Sequence, residues 1–306
     1  MEISAAMVRD LRDKTGAGIM ECKAALAEAG GDIPKAIEVL RKRGLKTAEK
    51  KAGRAAADGL VATWVSPDRD AGALLEVNCE TDFVARTEQF AGLTRSLVTL
   101  VGADADAADV NLLLTRPLNG KRVADVVKET IGSLKENIVV RRVARLAVPQ
   151  GAKGLVASYL HAGGKIGVLV EVHCNSANAA KSDTLAHLAK ELALQVCSAE
   201  PAYVTRDQVP PEVLEKEREI LRAQADMQGK PANIQDKIIQ GRLEKFFAER
   251  CLVDQAFIRD PEGKQRIRDV LKAAEKALGE PVTVAAFARF RLGEGIEKRA
   301  EDQHGN

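Results

Sequence analysis

The chain repeats itself, and the repeat restricts its folds more than any single motif. Gly59-Leu-Val-Ala-Thr-Trp-Val65 recurs as Gly154-Leu-Val-Ala-Ser-Tyr-Leu160, an offset of 95 residues. Leu74-Leu-Glu-Val-Asn-Cys79 recurs as Leu169-Val-Glu-Val-His-Cys174 at the same offset of 95. Apolar positions further on keep the spacing: Phe90, Leu93 and Leu97 answer to Leu185, Leu188 and Leu192. Each copy therefore reads strand, turn, strand, helix. Short strands joined by tight turns predict antiparallel pairing within each copy. A later strand, Ala144-Arg-Leu-Ala-Val148, resembles Ala288-Arg-Phe-Arg-Leu292 at an offset of 144, so the second copy carries about 49 extra residues before its last strand. Whether the two units share a sheet is not readable at this level.

The extra residues have a pattern of their own. Pro210-Pro211 opens a helix carrying Val213, Leu214, Glu217, Ile220 and Leu221, with apolar positions repeating every seven residues. Gly229-Lys-Pro231 breaks it, and a second helix follows with Ile234, Ile238, Ile239, Leu243, Phe246 and Phe247. Two amphipathic helices joined by a short breaker predict an antiparallel helical hairpin that projects like an arm.

Ahead of the repeat, residues 4 to 44 predict three short helices. The first carries Met7, Val8 and Leu11 and ends at Thr15-Gly-Ala-Gly18; the second carries Met20, Ala24, Ala25 and Leu26 and ends at Gly30-Gly31. The third has Asp32 as N-cap and Pro34 in its first turn, and Gly44 is expected to close it. Residues 45 to 58, basic and Ala-rich, read as a helical linker. The expected fold class is α+β: a three-helix head with its linker (1–55), a first α+β unit (56–149), a second (150–204 and 261–298), an inserted hairpin (205–260) and a tail (299–306).

Composition excludes several functions. The chain has 306 residues, a length that suits about two domains. Its net charge of +2 predicts no general affinity for nucleic acid, and an aromatic share of 3% supplies no stacking platform. No apolar run reaches the ~18 residues of a membrane span, and Met1-Glu-Ile-Ser-Ala-Ala-Met7 does not read as a signal peptide. Five scattered cysteines, 22, 79, 174, 197 and 251, without a CxxC pair fit buried free thiols in a reducing compartment, hence a cytoplasmic protein.

Catalytic signals are poor. His173 and Cys174 would face opposite sides of a strand, and no third ligand converges on them. Gly163-Gly-Lys165 lacks the first Gly of a phosphate loop, with Tyr159 in its place, and Ile166 replaces the required Ser/Thr. Gly16-Ala-Gly18 joins two helices and fails the dinucleotide fingerprint. No cofactor and no enzymatic activity are expected.

Differences between the copies carry more information. After its second strand, copy one has Glu80-Thr-Asp-Phe-Val-Ala-Arg86 where copy two has Asn175-Ser-Ala-Asn-Ala-Ala-Lys181. The fold does not require an acid and a ring there. Thr81 or Asp82 capping a helix, with Phe83 in the core, is one reading. A partner-facing loop of Thr81, Asp82, Phe83 and Val84 is the other, and Thr87-Glu-Gln-Phe90 would then start the helix. The hairpin turns differ too: Ser66-Pro-Asp-Arg-Asp-Ala-Gly72 against His161-Ala-Gly-Gly-Lys-Ile-Gly167, the latter either a flexible turn or a docking surface. In the head, Leu11-Arg-Asp-Lys-Thr-Gly-Ala-Gly-Ile-Met-Glu-Cys-Lys23 reads either as ordinary helix packing or as a small-residue turn flanked by an apolar patch for a partner.

Two long motifs, Leu11-Arg-x-x-Thr-Gly-Ala-Gly-x-Met-x-Cys-Lys23 and Glu76-Val-Asn-Cys-x-Thr-Asp-Phe-Val-Ala-Arg86, closely resemble the bacterial translation elongation factor Ts family. Arg141-Arg-Val-Ala144, His161 with Ile166-Gly-Val-Leu169, Gly241-Arg242 and Gly293-Glu-Gly-Ile-Glu-Lys298 extend the likeness over residues 2 to about 298. The resemblance implies a guanine-nucleotide exchange factor for elongation factor Tu, with no direct nucleic-acid or membrane partner. It implies a ubiquitin-associated-like head that meets the GTPase domain through Leu11, Arg12, Thr15, Gly16, Gly18 and Met20. It implies that Thr81, Asp82, Phe83 and Val84 approach the partner's magnesium and phosphates. His161, Ile166 and Gly167 would touch the partner's third domain, and the hairpin would be the family's coiled coil. Both a one-to-one complex and an assembly with two copies of each protein remain open. The chain departs from some relatives in having only eight residues after Lys298, which puts a C-terminal helix contact in doubt. A general adaptor built on the head, and a hydrolase or thiol enzyme, are the competing readings.

Overall fold

A computed structural model describes residues 3–224 and 231–296; residues 1–2, residues 225–230 with Gly229 and Lys230 of the hairpin breaker, and the end of the chain from 297 with the expected tail lie outside the described residues. The head consists of α1 (Ala5–Thr15), α2 (Ile19–Glu28) and α3 (Ile33–Lys51). Its caps follow from the sequence. Ser4 accepts from Met7 N–H, Asp32 accepts from Lys35 N–H, and Gly16 ends α1 in the left-handed region at φ 66°. Leu11, Cys22, Ala25, Leu26 and Ala36 form its small core.

The third helix corrects two expectations. Gly44 does not close α3, and residues 45–51 continue the same helix instead of forming a separate linker. Gly44 is instead a contact point. A Cβ on Gly132 would stand 2.5 Å from the Gly44 Cα, so α3 and the helix bearing Gly132 pack backbone to backbone.

The first unit comprises β1 (Asp58–Val65), β2 (Ala71–Cys79), the one-turn helix α4 (Asp82–Ala85), α5 (Glu88–Ala103), α6 (Val110–Thr115), the two-residue strands β3 (Pro117–Leu118) and β4 (Lys121–Arg122), α7 (Val123–Leu134) and β5 (Val139–Ala147). The second comprises β6 (Lys153–His161), β7 (Ile166–Cys174), α8 (Ala177–Ala180), α9 (Asp183–Ala199), then the hairpin helices α10 (Pro211–Ala223) and α11 (Ala232–Arg250), α12 (Ile267–Leu278) and β8 (Thr283–Arg291). The antiparallel sheets run β1-β2-β5 and β6-β7-β8. Both central strands break register at the same repeat position, between Glu76 and Val77 and between Glu171 and Val172. The helix α7, unread in the sequence, is the counterpart of α12 at the offset of 144.

The two sheets are separate and stack face to face. Val61, Leu74, Val156 and Leu169 are buried between them. The contacts are reciprocal under the repeat. A Cβ on Gly72 would meet Val156 at 2.6 Å, and one on Gly167 would meet Leu74 and Val61 at 2.6 Å. Val61 N–H donates to the Gly164 carbonyl at 2.8 Å, and Val156 N–H to the Arg69 carbonyl at 2.7 Å. The fold is thus an internal dimer with a local two-fold relation. Covered by the other sheet on one face and by α5 on the other, β2 is buried along its whole length, which explains its nearly unbroken apolar run. In the hairpin, Leu221, Ile239 and Leu243 form a small separate core. At its base Arg206 lies over the Phe247 ring at 4.6 Å and bonds both Glu244 and Asp254.

Candidate partner-binding site

Where β2 leaves its sheet, the backbone turns once. Thr81, in extended conformation, accepts from Val84 N–H through its hydroxyl and starts α4; Thr87 accepts from Phe90 N–H and starts α5. The two readings of residues 81–86 therefore merge: Thr81 is a cap, Thr87 is also a cap, and Phe83 is not in the core. Phe83 is 78% exposed, and Asp82 pairs with Arg86 at 2.6 Å across the turn of helix. Val84 is half-buried against the α5 side of the sheet core. Copy two builds the same turn, with Ser176 as the cap of α8 and Ser182 as the cap of α9. The backbone recurs; only the outward side chains differ.

The C-terminal end of α7 and the residues just after it hold this turn in place. The Glu136 carboxylate accepts from the backbone N–H of Glu80 and of Thr81, both at 3.0 Å, and from the Thr81 hydroxyl at 2.6 Å. In return Glu80 accepts from Asn137 N–H at 2.7 Å and pairs with Arg54 at 3.1 Å. The same segment holds the head. Ser133 donates to the Gly16 carbonyl at 2.9 Å and lies 3.2 Å from the Gln89 amide oxygen, while Lys135 pairs with Glu21 at 2.8 Å. Four residues, Ser133, Lys135, Glu136 and Asn137, thus tie the α1–α2 turn and α4 to one support. None of Ser133, Glu136 or Gln89 was singled out in the sequence. Extending the 144 offset from β5 back to Glu136 and Glu280 would have found the second of them.

The head residues divide. Arg12, Gly16, Gly18 and Met20 are exposed, Met20 at 74% with Ile19 beside it, and Thr15 is half-buried, its hydroxyl bonded to the Leu11 carbonyl. Leu11 is fully buried, so its side chain belongs to the head core and is not presented to a partner. The third expected patch divides likewise. His161 is exposed and stacks with Tyr159, the ring nitrogen Nδ1 lying 3.1 Å from the tyrosine hydroxyl, and Ile166 is half-buried. Gly167 is buried between the sheets, where only a hydrogen in place of a side chain leaves room for Leu74 and Val61. The turn lies against the first unit: Lys165 pairs with Asp58 at 3.6 Å, and Asp58 faces Cys79 across the β1–β2 ladder, two residues before Thr81.

Glu76, the first residue of the second motif, is completely buried and faces the other sheet. Burial pushes its carboxyl up, but Gly293 N–H, Arg142 and Arg141 together hold it below the usual carboxylate range. The bonds run at 2.8 Å from Gly293, 2.6 Å from Arg142 and 2.9 Å from Arg141. Arg142 also donates to the Arg291 carbonyl at 2.9 Å and stacks on Phe290. These residues clamp unit one to the end of unit two. Burial also pushes the Cys79 thiol up to about 12, aided by Glu136 and Asp58, so it stays protonated and donates to the Thr81 carbonyl at 3.1 Å. Among the described residues no cluster of His, Cys, Asp or Glu is arranged to hold a metal ion, and no helix is long and apolar enough to cross a membrane.

The family model described as Elongation factor TS matches residues 80–294. This chain belongs to the elongation factor Ts family. Elongation factor Ts of Clostridium perfringens strain 13 is 46% identical to it over 301 residues, 98% of this chain and 96% of the relative. Elongation factor Ts of Clostridium botulinum strain Langeland is 44% identical over 302 residues, 98% and 95% of the two chains. Membership of the elongation factor Ts family makes the chain a translation elongation factor.

Proposed function

We propose that this chain is a guanine-nucleotide exchange factor that binds elongation factor Tu carrying GDP in the cytoplasm and promotes GDP release by disturbing the Mg²⁺ and phosphate site. The observation that carries the reading is Phe83: a large ring, 78% exposed, held beside Asp82 on a capped turn whose repeat counterpart carries Ala177 and Asn178. A fold does not expose a ring on a braced turn for stability. Burying it against a partner contributes ~2 kcal/mol. GDP on a GTPase is held by Mg²⁺ and by backbone N–H groups around its phosphates. No covalent bond needs to be made or broken to release it. A protein that binds the nucleotide-free form more tightly weakens GDP affinity by the same ratio that GDP weakens its own. Phe83 acts as the wedge, Asp82 brings negative charge toward the metal and phosphates, and the head turn with Arg12, Gly16, Gly18 and Met20 supplies a second contact. His161 and Ile166 form a third.

The test is release of fluorescent GDP from purified elongation factor Tu. Adding this chain is expected to accelerate release, and excess Mg²⁺ to oppose the acceleration. An unchanged release rate at a saturating concentration of the chain refutes the reading.

A further inference from the structure

We propose that Glu136 is a positioning residue for exchange: its carboxylate fixes the turn that presents Asp82 and Phe83, and Glu80 makes that hold reciprocal. The inference rests on the exchange reading above and adds a residue that neither long motif contains.

The turn depends on the hydroxyl of Thr81. To cap α4 it must offer a lone pair to Val84 N–H at 3.3 Å. It does so reliably only if its own proton points elsewhere. The hydroxyl donates to one Glu136 oxygen at 2.6 Å, and the other Glu136 oxygen accepts from the N–H groups of Glu80 and Thr81. One carboxylate therefore satisfies both backbone donors at the strand exit and sets the polarity of the cap. Bonds to an ionised acceptor are about twice as strong as neutral ones. Thr81 is adjacent to Asp82, so the direction of the α4 side chains follows from this anchor.

The repeat separates positioning from mere folding. In copy two, Glu280 stands where Glu136 stands and accepts from Asn175 and Ser176 N–H at 2.8 and 2.9 Å. That single latch suffices to fold the turn. Copy one adds a second latch: Glu80 accepts from Asn137 N–H and pairs with Arg54 at the end of the head connection. Copy two cannot make it, because Asn175 replaces Glu80 and Pro281, without an N–H, replaces Asn137. The added bracing occurs only in the copy that carries the acid and the ring, and it is bonded to the head that would dock beside them.

The experiment compares Glu136→Ala with Glu280→Ala in the full chain, with Glu136→Gln as the conservative variant. Each is measured for acceleration of GDP release across a concentration series, for melting temperature and for amide exchange at Thr81 and Ser176. Loss of the carboxylate at 136 is expected to lower the saturating release rate by about tenfold, the equivalent of one charge-assisted bond. Glu280→Ala, at a comparable melting temperature, is expected to change it by less than about twofold, and Glu136→Gln to recover part of the loss. Equal losses in the two alanine variants, or full activity in Glu136→Ala, overturn the positioning role while leaving exchange intact. An inactive wild-type chain overturns both. Should Glu136→Ala fail to fold, Glu80→Gln, which weakens only the second latch, carries the comparison: reduced release at unchanged stability supports the proposal, and unchanged release counts against it.

Discussion

The two strand exits of this molecule share a backbone and differ in what they show to solvent. Thr81 and Ser176 cap one-turn helices with nearly the same extended angles, φ −131° and −121°. Cys79 and Cys174 both donate to the carbonyl of the capping residue. Glu136 and Glu280 both bind the exit N–H groups. These paired features are what the fold needs. Subtracting them leaves Asp82, Phe83 and the Glu80 latch as features the fold does not need. An internal duplicate works here as a control that no single copy provides, because both copies answer to the same packing constraints.

The central strands give a second contrast. Glu76 and Glu171 occupy the same position, yet Glu76 gathers Arg141, Arg142 and Gly293, whereas Glu171 has His173 at 2.6 Å. The largest stability effect is expected at Glu76. Glu76→Gln removes the charge that two guanidinium groups face; breaking such a buried set costs ~3 kcal/mol, near the lower end of the usual range because both arginines keep some contact with water. Glu171→Gln is expected to cost about 1 kcal/mol, one hydrogen bond. Urea unfolding of the two variants would break the contrast if their midpoints shifted equally. The sign of the pH dependence follows from the lowered carboxyl. The stabilisation is fully present above the unfolded value of ~4.3 and is lost as pH falls through the lower folded value. Glu76→Gln should therefore flatten the acid limb of stability below about pH 4.

The next effect contrasts two glycines in one contact. Gly132→Ala would place its Cβ 2.5 Å from the Gly44 Cα, whereas Gly44→Ala would place its own 3.5 Å from the Gly132 Cα. The first forces backbone apart and is expected to cost ~2–3 kcal/mol, at the upper end for overpacking. The second makes an ordinary contact and replaces a helical glycine, so it is expected to stabilise by ~0.5 kcal/mol. Equal shifts in melting temperature would show that α3 does not bear on α7 in the way described.

That contact also shows where sequence reading ends. The repeat, the antiparallel pairs, the inserted helices and the head caps Asp32 and Gly16 are all local signals, carried by periodicity and by residues next to each other in the chain. The long-range role of Gly44 is not local. A glycine at a helix end and a glycine under a crossing helix look alike until its partner, 88 positions further on, is known. Leu11 and Gly167, expected at partner contacts, are buried, and the reason is the same: an apolar side chain or a glycine inside a long motif is as easily core as surface. For Phe83 the local pattern allows core or solvent, and the comparison of the two copies favours the partner-facing position, since copy two needs no ring there. Its exposure is a tertiary fact. Glu136 was missed because it acts across 55 residues, although its twin Glu280 was visible at a known offset.

The third effect falls on function and not on stability. Asp82→Ala with Phe83→Ala should lower stimulated GDP release about thirtyfold, the equivalent of the ~2 kcal/mol from burying the ring. Melting temperature should hardly move, because Phe83 is exposed and the Asp82–Arg86 pair lies on the surface. Asn178→Ala, the matching change in copy two, should leave release unchanged. A double variant with full activity would move the exchange function away from α4 and back toward the head or the His161 turn.

The smallest expected difference lies in the twin thiols. Burial raises both above the ordinary cysteine value, with Glu136 adding to it at Cys79 and Glu280 at Cys174, and Cys79 reaches about 12. A folded value above the unfolded one favours the protonated thiol. The stabilisation is fully present below the unfolded value of ~8.5 and is lost as pH rises toward the folded one. Alkylation with iodoacetamide at pH 8 should therefore be slow at both sites in the native chain and fast in urea. Cys79, fully buried, should lag Cys174, which keeps a small exposed fraction. Mass spectrometry of the two peptides over time reads the order directly. Native-state modification of Cys79 at the urea rate would mean that the strand exit opens readily, and a turn that opens so easily could not hold Phe83 as a wedge.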